Sequence, residues 1–243
     1  MAGANPLDFS GRRAAVTGAA GGIGRAVAQL LAERGAEDVR CDLAVENGVA
    51  ADLATTEGRA ALVEATGPCD HLVIAHGIVR PKPVAETTEE DWDAILDVNA
   101  KAVYFLCKAF GELLRDGGSI VTLSSVSARS AASQEQSVYC ASKAAVSSIT
   151  RSFAHAYAAR GIRVNTVLPG IVETAMQEQF LAAAARARGT TPEALHEARL
   201  AAVPLGRTSP AREMAETIVW LLSPAAGYLT GQQIAADGGL TMY

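Results

Sequence analysis

Short apolar runs alternate along this chain with helical stretches of about a dozen residues, and that alternation limits the fold more than any other feature. Residues 13–17 (RAAVT) predict a strand that ends in a glycine-rich turn. Residues 23–34 follow as a helix, with Ile23, Val27, Leu30 and Leu31 on one face. Residues 38–42 and 49–53 read as short strands, and residues 55–66 as a helix through Ala61, Leu62 and Ala65. HLVIA at 71–75 reads as a buried strand, and 89–115 as a long helix with a break near Asn99. A strand at 119–123, a helix at 137–160 and a strand at 163–168 come next, the last stopped by Pro169-Gly170. Residues 171–208 read as an insertion with its own helices, before a final helix at 213–222 and a final strand at 232–235. Such an order predicts an α/β fold, a parallel sheet covered by helices on both faces. The 243 residues suit one such domain, and no repeat or linker divides them.

Composition removes several function classes. Apolar residues make up 49% of the chain, enough for a large core. A net charge of −5 gives no reason to expect nucleic acid as a partner. No apolar run approaches the roughly 18 residues that span a bilayer, and residues 1–13 have no apolar export-signal core. Cys41, Cys69, Cys107 and Cys140 are far apart and form no CxxC pair, so neither a metal site nor a disulfide framework is expected. The reading is a cytoplasmic protein.

The glycine-rich turn is TGAAGGIG, from Thr17 to Gly24, between a strand and a helix. Glycines there permit a tight turn and let a pyrophosphate approach the backbone. The next helix offers free N–H groups and a positive dipole end to that anion. Asp42 lies 18 residues past Gly24, at the end of the second strand. A carboxylate at that separation accepts hydrogen bonds from the adenosine ribose hydroxyls and repels the 2′-phosphate of NADP. Leu43 follows it, and the glycine turn carries no Lys or Arg, so NAD is the expected cofactor. The plainer reading is that Asp42 only starts a turn.

A second motif is Tyr139-Cys-Ala-Ser-Lys143. Residues four apart share a helical face. A free phenol has a pKa of about 10, and a neighbouring ammonium favours its ionised form. Tyr139 is then suited to take a proton from an alcohol or return one to a ketone. With five tyrosines and the lysines at 82, 101, 108 and 143, one such spacing arises by chance about once in twelve such chains, so it carries weight only beside the glycine turn.

With both motifs in place, the sequence resembles the short-chain dehydrogenase/reductase family along nearly its whole length, which implies a Rossmann-type doubly wound parallel β-sheet. TGAAGGIG resembles the family's TGxxxGxG cofactor loop, implying contacts from Gly18, Gly22, Ile23 and Gly24. Asp42 stands at the family's NAD-selecting position, and Asp52-Leu53 resembles its adenine-holding pair. The resemblance assigns Asn99 to support of a proton-relay water through its backbone and Ser125 to the substrate oxygen. It makes Tyr139 and Lys143 the acid/base pair, with Lys143 also holding the nicotinamide ribose. Pro169, Gly170, Val172 and Thr174 resemble the segment that holds the carboxamide. YLTGQ and DGG, at Tyr228 and Asp237, are similar to the C-terminal signature. Two features depart from the pattern. The family's NNAG is Ile-Ala-His-Gly at 74–77, which keeps Gly77 but lacks the asparagines that tie neighbouring strands. The stretch from Asp42 to Asp52 is also short, which predicts a loop in place of a helix.

Lesser candidates surround this set. His76 has both a substrate-contacting and a hydrogen-bonded structural reading, and Ser124 alternates away from Ser125 into the structure. Arg129, Gln134 and Gln136 lie either in the substrate cleft or on a solvated surface, and Cys140 has no histidine base beside it. Residues 173–208, broken at Gly189, Pro192 and Pro204, are the expected substrate cover, with a mainly apolar lining. The whole predicts an NAD-dependent oxidoreductase acting on a small secondary alcohol or ketone. The resemblance also implies a homotetramer packed through helices at 99–115 and 137–160. Two alternatives stay open: an NADPH-dependent 3-ketoacyl-type reductase, and an NAD-binding redox sensor without catalysis.

Overall fold

The computed structural model describes residues 5–130 and 133–242; the side chain of Gln134, one of the cleft candidates, lies outside the described residues. Seven parallel strands form one sheet in the order β3-β2-β1-β4-β5-β6-β7. They are β1 (Arg13–Thr17), β2 (Glu37–Asp42), β3 (Val49–Ala50), β4 (Cys69–Ile74), β5 (Leu114–Leu123), β6 (Arg163–Pro169) and β7 (Gln233–Ala236). The helices are α1 (Gly22–Glu33), α2 (Thr56–Thr66), α3 (Glu89–Leu96), α4 (Ala102–Leu113), α5 (Ser137–Tyr157), α6 (Ala175–Arg188), α7 (Pro192–Leu200) and α8 (Ala211–Leu222). No helix among the described residues is long and apolar enough to cross a membrane.

Strand alternation builds two cores. Leu72 and Ile74 of β4 face one side with Leu106, Phe110 and Val146 of α4 and α5. Val73, between them, faces the other side with Val27 and Leu31 of α1 and Ile218 and Leu222 of α8. Every residue of β4 is therefore buried, as a central parallel strand requires. The strand order reverses between β1 and β4, and the crevice at the strands' carboxyl ends opens there.

Two strands differ from the sequence reading. β3 has two residues, Val49–Ala50, where 49–53 was predicted. The Asp52 carboxylate accepts the Ala54 N–H (2.9 Å) and its carbonyl accepts that of Thr55 (3.1 Å), turning the chain into α2, which Thr55 caps. β5 starts at Leu114, inside the predicted helix, and runs through a glycine pair. A Cβ on Gly118 would lie 2.7 Å from the Asp70 carbonyl oxygen, so this close approach needs glycine. The break predicted near Asn99 in the 89–115 helix is a five-residue π turn, Asp97–Lys101. Residues 43–48 form the loop that the short Asp42–Asp52 spacing predicted.

Candidate active site

The crevice holds a cavity of about 400 Å³. One end is the glycine turn. Gly18 has φ +68°, and a Cβ there would lie 2.8 Å from the backbone of Ala75 and His76. A Cβ on Gly24 would lie 2.2 Å from the Gly18 carbonyl oxygen. Helix α1 follows Gly21, which offers no side-chain cap, and has no acidic residue in its first turn. Its free N–H groups face a bare backbone, and around Gly21 no atom stands where a Cβ would point. An anion as wide as a pyrophosphate fits this cradle. Asp42 lines the same end and accepts the Ala20 N–H (3.0 Å) and the Leu43 N–H (2.7 Å), so its carboxylate is fixed against the turn.

Tyr139 and Lys143, one turn apart on α5, line the other end with Ser125. The Lys143 ammonium lies 5.7 Å from the centre of the Tyr139 ring and donates to the Leu123 carbonyl (2.9 Å). Burial lowers the Lys143 pKa to about 8. Burial also pushes Tyr139 up to about 12, against the pull of the Ser125 hydroxyl. The lowered phenol pKa that the spacing suggests is thus absent, because desolvation of the phenolate outweighs the hydrogen bond to Ser125. Ser125 begins a one-turn helix and accepts the Ser127 N–H (3.1 Å). Ser124 points into the structure, donating to the Lys143 carbonyl (2.7 Å) and meeting Ser147 (3.0 Å).

His76 and Asn99 brace the floor between these ends. The His76 Nε2–H donates to the Val98 carbonyl (3.1 Å), which leaves Nδ1 to accept from the Thr17 hydroxyl (2.8 Å). Thr17 in turn accepts the Ala75 N–H (3.1 Å). One neutral imidazole thus joins the ends of β1 and β4 to the π turn, the task the missing asparagines would have shared; it also lines the cavity. Burial holds the His76 pKa down to about 4. Asn99 is fully buried and does not line the cavity. Its side chain accepts the Ile78 N–H (2.8 Å) and donates to the Ile78 carbonyl (2.9 Å) and to Ser142 (3.0 Å). Beside it, a Cβ on Gly77 would lie 3.1 Å from Asn99 Oδ1 and 3.3 Å from Lys143 Nζ.

Helices α6 and α7, in the segment expected to cover the substrate, pack on each other through Phe180, Leu181, Ala184 and Leu195 and touch Val79. The Thr174 hydroxyl caps α6. At its far end Arg188 pairs with buried Glu135 (2.7 Å), whose pKa that guanidinium holds down to about 2.

Of the sequence candidates, Gly18, Gly22, Ile23, Asp42, Asp52, Leu53, Gly77, Ser125, Tyr139, Lys143, Pro169, Gly170, Val172 and Thr174 line the one cavity. Gly24 and Asn99 stand behind its wall. Gln136 also lines it, whereas Arg129 reaches the Gln233 carbonyl (3.1 Å) instead. Burial raises the Cys140 pKa, which keeps its thiol protonated. Gln177 and Arg199, from the cover, are lining residues that the sequence reading did not single out. The signal for Arg199 was present: it follows Leu195, the buried residue of α7, by one turn and so shares its inward face.

Known proteins resemble this chain along its length. A family model described as enoyl-(acyl carrier protein) reductase matches residues 18–241. A 3-oxoacyl-(acyl-carrier-protein) reductase of Vibrio cholerae is 33% identical over 97% of this chain and 100% of its own. Galactitol 2-dehydrogenase (L-tagatose-forming) of Cereibacter sphaeroides is 36% identical over 97% of each. L-sorbose reductase from Gluconobacter frateurii, solved with NADPH and L-sorbose, superposes with a TM-score of 0.89 at 25% identity, over 98% of this chain and 100% of that one. With a seven-stranded parallel sheet, a glycine cradle and a Tyr–Lys pair in one crevice, the chain belongs to the short-chain dehydrogenase/reductase family, whose oxidoreductases use a nicotinamide cofactor.

Proposed function

We propose that this protein is an NAD-dependent oxidoreductase that interconverts a secondary alcohol and a ketone. The observation that carries the reading is the shared cavity: Tyr139, Lys143 and Ser125 at one end, the glycine cradle and Asp42 at the other. Gly18, Gly22, Ile23 and the N-terminus of α1 would hold the pyrophosphate, and Asp42 the adenosine ribose. Asp52 and Leu53 would hold the adenine, and Pro169, Gly170, Val172 and Thr174 the carboxamide. Bound NAD supplies the hydride acceptor or donor and, when oxidised, a positive charge that favours an ionised phenol.

Ser125 and Tyr139 hold the substrate oxygen. In the reducing direction Tyr139 gives its proton to that oxygen, which its high pKa suits. Lys143 then steadies the phenolate left behind. In the oxidising direction Tyr139 takes the proton, and its pKa must first fall. Asn99 keeps the π turn and the Gly77–Ile78 backbone in place, where a relay water would return the proton to solvent.

Tyr139→Phe tests the reading. Turnover should drop at least about 100-fold while NADH still binds, read by its fluorescence. Full activity in that variant refutes the role given to Tyr139. A panel of secondary alcohols and ketones, run with each cofactor, tests the rest. A second reading, an NADPH-dependent 3-ketoacyl-type reductase, is favoured by the similarity to the Vibrio cholerae enzyme. A strong preference for NADPH would select it and show that Asp42 does not exclude the 2′-phosphate. Tight cofactor binding without turnover on the whole panel would instead select the sensor. Tyr104 and Phe105 of α4 are exposed beside buried Phe153 of α5, and we assign this face to packing between copies in a homotetramer. Light scattering that found a monomer would overturn that assignment.

A further inference from the structure

Among the described residues, three buried side-chain atoms have no hydrogen-bond partner: Gln177 Nε2, His196 Nδ1 and Arg199 Nη1. All three sit on the cover helices, and Gln177 and Arg199 line the cavity. The guanidinium of Arg199 lies 4.8 Å from the centre of the Phe180 ring, and no carboxylate among the described residues pairs with it. Its neighbour Arg188 is spent on Glu135. Arginine keeps its proton in a protein, so this group has no neutral form to escape into. A stacked ring steadies the cation but accepts no N–H bond, and a buried donor left without an acceptor is unfavourable. The cavity is the side from which a partner can come.

We infer that the substrate carries a carboxylate, which Arg199 grips inside the cavity with the Gln177 amide as second donor. The planar fork of a guanidinium matches a carboxylate in a way that a neutral chain end does not. The substrate then spans two anchors, its reacting oxygen at Ser125 and Tyr139 and its anion under α7. This narrows the proposed function and rests on it for the identity of the cavity as a substrate site. It also changes the sequence reading of the cover as a mainly apolar lining: the apolar face of α7 delivers one cation.

Binding without turnover separates this inference from the catalytic reading. Protein saturated with NADH is titrated with butyrate, valerate and hexanoate and with the matching amides, followed by NADH fluorescence. Carboxylates should bind about 10- to 100-fold more tightly than amides. Arg199→Gln should erase that preference and leave NADH affinity within about twofold, while Arg199→Lys should keep part of it. Equal binding of acids and amides overturns the inference, as does an Arg199→Gln variant whose loss is in NADH affinity. A turnover arm compares hydroxy acids of those lengths with their methyl esters. Carboxylate binding at Arg199 with no turnover of either would leave the anion site standing and sink the oxidoreductase assignment. Esters turned over as well as acids would do the reverse.

Discussion

Acidification should weaken this fold through two desolvated histidines, His71 buried and His76 half-buried, and the size of the effect follows from their surroundings. His71 and His76 both have pKa values lowered by burial, from 6.5 to about 4. Each is built in as a neutral ring. His71 Nδ1 meets the Ser119 hydroxyl (2.9 Å), which itself donates to the Leu222 carbonyl (3.1 Å), so the imidazole proton sits on Nδ1. His76 spends its Nε2–H on Val98 and needs Nδ1 bare to accept from Thr17. An imidazole whose pKa is lower in the fold takes up its proton first in the unfolded chain. Stability from each is therefore complete above pH 6.5 and is lost as the pH falls towards 4. At about 1.4 kcal/mol per pH unit, each histidine removes about 2 kcal/mol by pH 5 and about 3 kcal/mol by pH 4. Urea melts at fixed protein concentration from about pH 7.5 to 5 should show the slope of two protons. His76→Asn should fold less stably at neutral pH but with about half that slope. If wild type and His76→Asn lose stability in parallel as the pH falls, the bridge assigned to His76 is wrong.

Two further perturbations probe the frame. Gly24→Ala places a methyl 2.2 Å from the Gly18 carbonyl oxygen, and backbone must move to admit it. We expect a loss of about 1–3 kcal/mol in urea melts, with NADH affinity falling as the turn widens. Asn99→Leu removes the side-chain partners of the half-buried Ile78 N–H and carbonyl. That should cost about 2–4 kcal/mol and lower kcat more than cofactor affinity, since the segment between Gly77 and Lys143 loosens.

The sheet was legible because most strands contain a short apolar run and most crossovers a helix of ordinary length. Where strand limits were misjudged, the deciding contact lay far along the chain. Gly117-Gly118 looks like a loop until Asp70 is seen against it, and the apolar Ala51 looks like more strand until Asp52 turns the chain. The glycine turn and the Tyr139–Lys143 spacing were legible because they are local patterns. For His76 the hydrogen-bonded structural role was legible but its partners were not, since they lie 59 and 22 positions away and meet it only once β1 and β4 are in register. Arg199 was half legible: the spacing from Leu195 turns it inward, but no local pattern says that α7 folds over the cavity.

The pair at the centre shows how far local spacing can mislead about electrostatics. One helical turn does bring phenol and amine together, but the same burial that holds them there raises the phenol and lowers the amine. A Tyr139 at about 12 beside a Lys143 at about 8 is set up to keep its proton, which suits donation to a ketone and opposes abstraction from an alcohol. Both directions become available only if ligands change the field. A positive charge arriving near the phenol lowers its pKa, and a negative charge on the substrate raises it. The pH range over which Tyr139 can take a proton is therefore set by the balance between the oxidised cofactor and whatever charge Arg199 neutralises. That balance can be measured: in the oxidising direction the acidic limb of the pH–rate profile should lie well below 12 for a neutral alcohol. For a carboxylate substrate it should stay there only while Arg199 is present, and move up in Arg199→Gln. A limb that ignores both the substrate's charge and the residue at 199 would show that the two ends of the cavity do not communicate through charge.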